Sequence, residues 1–213
     1  DSIGVLAYVE RLQKAEVRVT VVRGNHEEAI ITARKAGKGK LRALLERTHN
    51  TDLLDRGDGH ELDPRWSRII SASVPFLSLP DAILVHGGID LSSRDPFGDS
   101  NTIVNSRETV YVAETAGHRP VIHGHTRTAL STIIERLVNR SPVVPLDNGA
   151  VGASSRKPFK VSEFGNLCCL QLDTWELHVQ PNRDVVDDER GSAAFSVRVR
   201  PAVNTVGGAT TRD

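Results

Sequence analysis

The chain of 213 residues contains no methionine, only two cysteines and few aromatic residues (4%), and its 27 basic residues balance 27 acidic ones. A chain without net charge has no global field to draw it onto nucleic acid or an anionic membrane. No run reaches the ~18 apolar residues of a membrane span, because charged residues interrupt every candidate. We therefore expect neither a membrane nor a nucleic-acid partner.

The two cysteines, Cys168 and Cys169, are adjacent in a strand-like run. Neighbours in a strand point to opposite faces, which argues against a disulfide between them and suits a reducing compartment. Glu10 and Arg11 stand where a secretory signal would be apolar. We therefore expect a cytoplasmic protein. Since position 1 is not methionine, we also expect the natural start to lie upstream.

Hydrophobic periodicity indicates an α/β chain in which helices and strands alternate early and strands predominate late. Helices are predicted near the start, from 27 to 47 with a break at Gly37 and Gly39, from Asp63-Pro64, and over 106–116. The predicted strands are 17–22, 76–79, 82–85, 120–122, 132–137, 143–146, 167–172 and 175–179, and a loop is expected at 90–105. The segment 181–213 has no Leu, Ile, Trp or Tyr, so we expect a mobile tail.

Three short segments that contain histidine each follow an apolar strand: Gly24-Asn25-His26-Glu27, His86-Gly87-Gly88 and Gly124-His125-Thr126. The carboxyl ends of strands in an α/β sheet meet at one edge, where ligands bind. Glycine beside each histidine lets the backbone approach an ion or phosphate closely. An amide oxygen and two imidazoles suit Mn, Fe or Zn. The pattern thus indicates a metal site, although each segment alone is more often a turn.

With 61 residues from Asn25 to His86 and 39 from His86 to His125, these segments together resemble the calcineurin-like metallophosphoesterases. The branch of this family that the chain resembles contains serine/threonine protein phosphatases and symmetrical dinucleoside tetraphosphatases. The segment 144–150 also resembles that branch's Asp-Thr-Gly-Ala strand end. The resemblance covers about residues 1–180 and implies a metallophosphoesterase β-sandwich flanked by helices, with a variable cap at about 37–73.

The resemblance also implies roles for individual residues. Asn25, His86 and His125 would hold one ion of a two-metal centre (Mn, Fe or Zn), in which ions ~3.5–4 Å apart clamp a phosphate and acidify a bridging water. His26 would steady the substrate or protonate the leaving oxygen, unless it merely caps the following helix. Arg107 stands where relatives often bind phosphate; the alternative is a solvated helix residue.

Two family motifs do not occur before Asn25: an Asp-x-His and a Gly-Asp-x-x-Asp-Arg-Gly, which supply the other metal ligands. The opening Asp1-Ser2 resembles the residues that follow Asp-Arg-Gly-Pro in relatives. We therefore expect a domain truncated at its N-terminus that binds at most one ion. The segment 54–60 contains both Asp-Arg-Gly and a Gly-Asp-x-His around Asp58, but it lacks a preceding apolar strand and falls in the cap.

The resemblance implies a metal-dependent hydrolase of phosphate monoesters. We place a serine/threonine phosphoprotein phosphatase first and a symmetrical dinucleoside tetraphosphatase second, so the partner would be a phosphorylated protein or a nucleotide. A non-catalytic pseudophosphatase or binding module is the competing interpretation, because the two missing motifs are needed for two metals. The basic residues of 34–42 could attract phosphates, although such a run is more often a solvated helix face.

Overall fold

The computed structural model describes residues 1–57, 59–151, 163–182 and 195–198. This part of the chain is mixed α/β and divides into two compact units. The first holds residues 1–127 and 142–147, and the second holds 128–141 and the described residues from 148 onward. None of the described helices combines the length and apolar character that a membrane crossing requires.

Helices are the predominant elements of the first unit. They are α1 (Ser2–Lys14), α2 (Asn25–Lys35), α3 (Lys38–Arg47), α4 (Pro64–Ser71), α5 (Ser100–Asn105) and α6 (Ala113–Ala116), with a 3₁₀ turn at Thr51–Leu53. The Asp63 side chain caps α4 and Pro64 occupies its first turn, as the sequence predicts. Gly37 is the N-cap residue of α3 and has φ 114°, a conformation that favours glycine.

These helices bury a common apolar cluster. Its members include Ile30 of α2, Leu41 and Leu45 of α3, and Trp66 and Ile69 of α4. Leu41 and Leu45 are fully buried, and they lie one helical turn apart, so α3 presents a single apolar stripe. This cluster fixes α2, whose first residue is Asn25.

The sheet of the first unit contains β1 (Phe76–Ser78), β2 (Ile83–Val85), β3 (Val121–His123) and β4 (Val143–Pro145), in that spatial order. β1 is antiparallel to β2, whereas β2, β3 and β4 run parallel. Ile83, Val121 and Val144 are fully buried. Because the three parallel strands end at the same edge, the residues that follow them are brought together.

The second unit contains α7 (Leu130–Val138) and an antiparallel sheet of β5 (Asn166–Gln171), β6 (Glu176–Pro181) and β7 (Phe195–Arg198). Asn148 is buried in this unit, with 1% of its surface exposed. Its amide donates to the carbonyl oxygens of Thr128 (2.9 Å) and Glu163 (2.7 Å). Its oxygen accepts from the backbone (3.0 Å) and side chain (2.6 Å) of Asn166.

Four predictions from the sequence are wrong. The strand predicted at 132–137 is part of α7, because Leu130, Ile133 and Leu137 share one buried helix face. The strand predicted at 17–22 is reduced to one bridge between Val22 and Val74. The helix predicted over 106–116 forms only at Ala113–Ala116, and α5 lies where a loop was expected.

Two further predictions fall largely outside the described residues. Within the segment expected to be a mobile tail, Phe195–Arg198 form β7 against β6, and most of the remainder is not described. Asp58, in the alternative metal motif, is also outside the described residues. Around it, an antiparallel bridge joins Leu54 to Leu62, so the segment forms a local reversal of the chain.

Candidate metal centre

Asn25, His86 and His125 lie together at the carboxyl edge of the first unit's sheet. Asn25 is the first residue of α2, His86 directly follows β2, and His125 lies two residues after β3. The Oδ1 atom of Asn25 is 3.1 Å from Nε2 of His86, which is 3.2 Å from Nδ1 of His125. The structure thus brings the three predicted ligands to one point.

The separations of these donor atoms fit the coordination shell of one ion. Two ligand atoms at about 2.1 Å from a metal lie about 3.0 Å apart when they subtend 90°, and about 3.4 Å apart at the tetrahedral angle. The observed 3.1 and 3.2 Å fall between these values. The same distances also permit hydrogen bonds, so Nε2 of His86 can donate to one neighbour when no ion is bound.

Tight backbone packing holds the ligands in place. A Cβ atom at Gly24 would lie 2.8 Å from Oε2 of Glu27 and 3.1 Å from Cε1 of His86, so a side chain there would press against both the Glu27 carboxylate and the His86 ring. The backbone N–H of Gly124 donates to the carbonyl oxygen of His86 (2.9 Å), which ties the two histidine segments together. His125 has φ 62°, a left-handed conformation whose strain is typical of functional sites.

The electrostatics favour neutral imidazoles at this site. Burial and the neighbouring His125 lower the pKa of His86, against the opposing charges of Glu27 and Asp147. Burial and the positive charge of Arg107 lower the pKa of His125. A histidine binds a metal through a neutral ring nitrogen, so lowered pKa values keep lone pairs available at neutral pH.

His26 and Arg107 lie at the periphery of the candidate metal centre formed by Asn25, His86 and His125. Both side chains are exposed. His26 acts electrostatically on His86 and His125, and Arg107 acts on His125. Among the described residues, neither makes a hydrogen bond to the three candidate ligands. They therefore lie within electrostatic range of a bound anion without being held in one orientation.

A cavity of about 430 Å³ borders Asn25, His26 and His86. Its other walls come from α1, the remainder of α2, α3, α4 and the 3₁₀ turn. The apolar lining residues are Val5, Leu6, Ala29, Ile30, Leu44, Leu53 and Ile70. Asp1, Ser2, Glu27, Thr48 and Asn50 also line the cavity, so its wall is of mixed polarity and reaches the candidate ligands Asn25 and His86.

Sequence reasoning missed two acidic residues near the site. Asp147 lies two residues after β4 and acts on the charges of His86, His123 and His125. Its place after an apolar strand was a signal that could have identified it. Glu27 accepts a hydrogen bond from the N–H of Gly24 (2.9 Å) and so steadies the start of α2.

Among the described residues, no group of three or more His, Cys, Asp or Glu side chains is arranged to hold a metal. The candidate centre comprises one amide and two imidazoles, which leaves several coordination positions of one ion to water or substrate. Comparisons with protein-family models, with curated proteins and with solved structures find no match to this chain.

Proposed function

We propose that this chain is a metallophosphoesterase domain of the calcineurin-like sandwich type, which hydrolyses phosphate monoesters in the manner of serine/threonine phosphoprotein phosphatases. The observation that carries the proposal is the convergence of Asn25 Oδ1, His86 Nε2 and His125 Nδ1 within 3.1 and 3.2 Å. Residues so far apart in sequence meet at the edge of a parallel sheet, where ligands of α/β proteins bind.

Divalent ions held at such a centre polarise a phosphoryl oxygen and acidify a bound water. The chain's own residues supply the binding of the phosphate and the proton for the leaving group. Arg107 can pair with the phosphate oxygens, and the N-terminus of α2 places the positive end of its helix dipole beside the same anion. His26 stands next to the ligand Asn25 and can donate a proton to a leaving alkoxide.

A second candidate is a non-catalytic module that binds one metal ion. Its support is the donor set, since the described residues bring one amide and two imidazoles together without a bridging carboxylate. Hydrolysis by two ions requires such a bridge. The two candidates share the metal ligands and differ in whether a second ion can be held.

Calorimetric titration with Mn²⁺ tests the ligand set that both candidates need. We expect one weak site per chain, lost in Asn25→Ala, His86→Ala and His125→Ala. His178→Ala is the matched control, because His178 is an exposed histidine of β6 in the other unit. Two tight sites, or binding that survives all three substitutions, would refute the assignment.

Hydrolysis of p-nitrophenyl phosphate in Mn²⁺ separates the two candidates. We expect the 213-residue chain to act no faster than buffer, and a longer chain carrying the Asp-x-His and Gly-Asp-x-x-Asp-Arg-Gly motifs to turn over the ester. A longer chain that binds two ions and remains inactive would favour the non-catalytic module. Activity of the short chain that disappears in Asp58→Asn would mean that the 54–60 motif supplies the missing ligands.

A further inference from the structure

A cluster of cations lies at the far end of the helix that carries Asn25. The segment 34–42, here called the basic turn, joins α2 to α3 and contains Arg34, Lys35, Lys38, Lys40 and Arg42. All five residues are exposed. In a chain without net charge, this is a local concentration of positive charge that the proposed chemistry does not use.

Part of the basic turn is neutralised within the fold. Arg34 and Lys38 approach the carboxylate of Glu61 at 3.9 and 3.6 Å. Arg42 pairs with Glu46 at 2.9 Å. Among the described residues, the ion pairs of the basic turn are made by Arg34, Lys38 and Arg42, and Lys35 and Lys40 take no part in them.

Lys35 and Lys40 carry the unneutralised charge. Neither makes an ion pair with any residue that the structure describes, and both side chains are exposed. Gly37 and Gly39 lie between them, and a side-chain carbon at either glycine would meet no atom within 4 Å. The surface around the two ammonium groups is therefore open to a partner.

We infer that the basic turn binds an acidic stretch of a phosphorylated polypeptide whose phosphate occupies the metal centre. This inference rests on the proposed function for the position of the phosphate. A peptide fits better than a nucleic acid, because Glu46 and Glu61 interrupt the positive charge and would repel a continuous phosphate backbone. Spaced carboxylates of a peptide can instead contact Lys35 and Lys40 singly.

The length of α2 sets the distance between the phosphate at the metal centre and the peptide's contact with Lys35. From Asn25 to Lys35 the helix rises about 15 Å, at about 1.5 Å per residue. An extended peptide advances about 3.3 Å per residue, so about four to five residues span this distance. The favoured substrates would carry Asp or Glu four to five positions from the phosphorylated residue.

Fluorescence anisotropy with labelled peptides tests the inference. One peptide carries unmodified serine with glutamates four and five positions away on both sides, a second carries phosphoserine with glutamines instead, and a third carries both features. We expect the glutamate peptides to bind about three- to tenfold more weakly to Lys35→Ala/Lys40→Ala, since exposed charge pairs contribute about 0.2–1 kcal/mol each. Arg11→Ala/Arg18→Ala removes the same charge from exposed positions outside the basic turn and should leave binding unchanged.

The outcomes separate this inference from the proposed function. Glutamate peptides that fail to bind, or that bind equally to both double variants, would overturn the acidic docking surface. Phosphoserine that adds no affinity in Mn²⁺, while the lysine effect remains, would instead overturn the phosphoesterase proposal. An oligonucleotide of equal charge that binds more tightly than the glutamate peptide, with a larger loss in Lys35→Ala/Lys40→Ala, would assign the surface to nucleic acid.

Discussion

His86 and His125 lie edge to face, with ring centroids 5.0 Å apart and planes inclined by 61°. Nε2 of His86 is the central atom of the site, because both Asn25 Oδ1 and His125 Nδ1 approach it. Loss of His86 would therefore remove the donor atom that both of the other two approach.

Replacing Asn25 by aspartate should strengthen the site. The substitution keeps the shape of the side chain and places a negative oxygen next to His86 Nε2, now 3.1 Å from the amide oxygen. Mn²⁺ affinity should rise by about tenfold, since a carboxylate presents a full negative charge to a divalent cation, whereas the amide oxygen binds it only through its dipole. Calorimetric titration of Asn25→Asp beside the unaltered chain measures the change. Equal or weaker binding would mean that Asn25 does not contact the ion.

His26 is expected to act as a general acid in an active, longer chain. His26→Asn should lower the rate by ~10²–10⁴ for esters with poor leaving groups, and much less for p-nitrophenyl phosphate, which needs no proton. Metal content should not change, because the adjacent Asn25 is the proposed ligand. Rates across phosphate esters of rising leaving-group pKa provide the measurement. A uniform decrease, or a loss of metal, would remove His26 from this role.

Asn148 should be important for the stability of the second unit. Asn148→Ala removes four hydrogen bonds at once: those to the carbonyl oxygens of Thr128 and Glu163 and those from the two N–H donors of Asn166. We expect the free energy of unfolding to fall by about 3 kcal/mol. Urea denaturation, followed by fluorescence of Trp175 in the same unit, measures the loss. Asn139→Ala, at an exposed position, is the control and should change stability by less than about 0.5 kcal/mol.

Glu10 should make stability depend on acid pH. It is 4% exposed, and Arg65 donates to it from Nη2 (2.6 Å) and Nε (2.9 Å). Chiefly through these hydrogen bonds, aided by Lys14, the pKa of Glu10 is lowered. A carboxyl whose pKa is lower in the folded state stabilises the fold above its unfolded pKa. That contribution is lost as the pH falls through the folded value.

Urea denaturation of the chain and of Glu10→Gln over a range of pH tests this relation. The stability difference between them should be largest near neutral pH and should shrink below the ordinary pKa of a glutamate. Glu16→Gln, at an exposed position just after α1, provides the control and should follow the unaltered chain throughout. A constant difference for Glu10→Gln down to the acid limit of folding would contradict the assigned ion pair.

The sequence predicted the meeting of Asn25, His86 and His125 because each lies at the end of an apolar segment, and parallel strands place such ends together. The contribution of Asp147 was missed although it occupies the equivalent position after β4. The segment 132–137 was wrongly predicted as a strand, since Thr132, Ile133 and Ile134 favour strands locally. The segment forms a helix instead, because the helix buries one apolar face. That burial depends on contacts with residues distant in sequence.

Helix α2 has the proposed metal ligand Asn25 as its first residue and begins the basic turn at its end. A helix advances about 1.5 Å and turns about 100° with each residue. Insertion or deletion of a single residue within 26–33 would therefore rotate Lys35 and Lys40 about the helix axis relative to Asn25. The residues at both ends of α2 would be unchanged. The length of α2 thus sets the direction of the two lysines relative to the candidate metal centre.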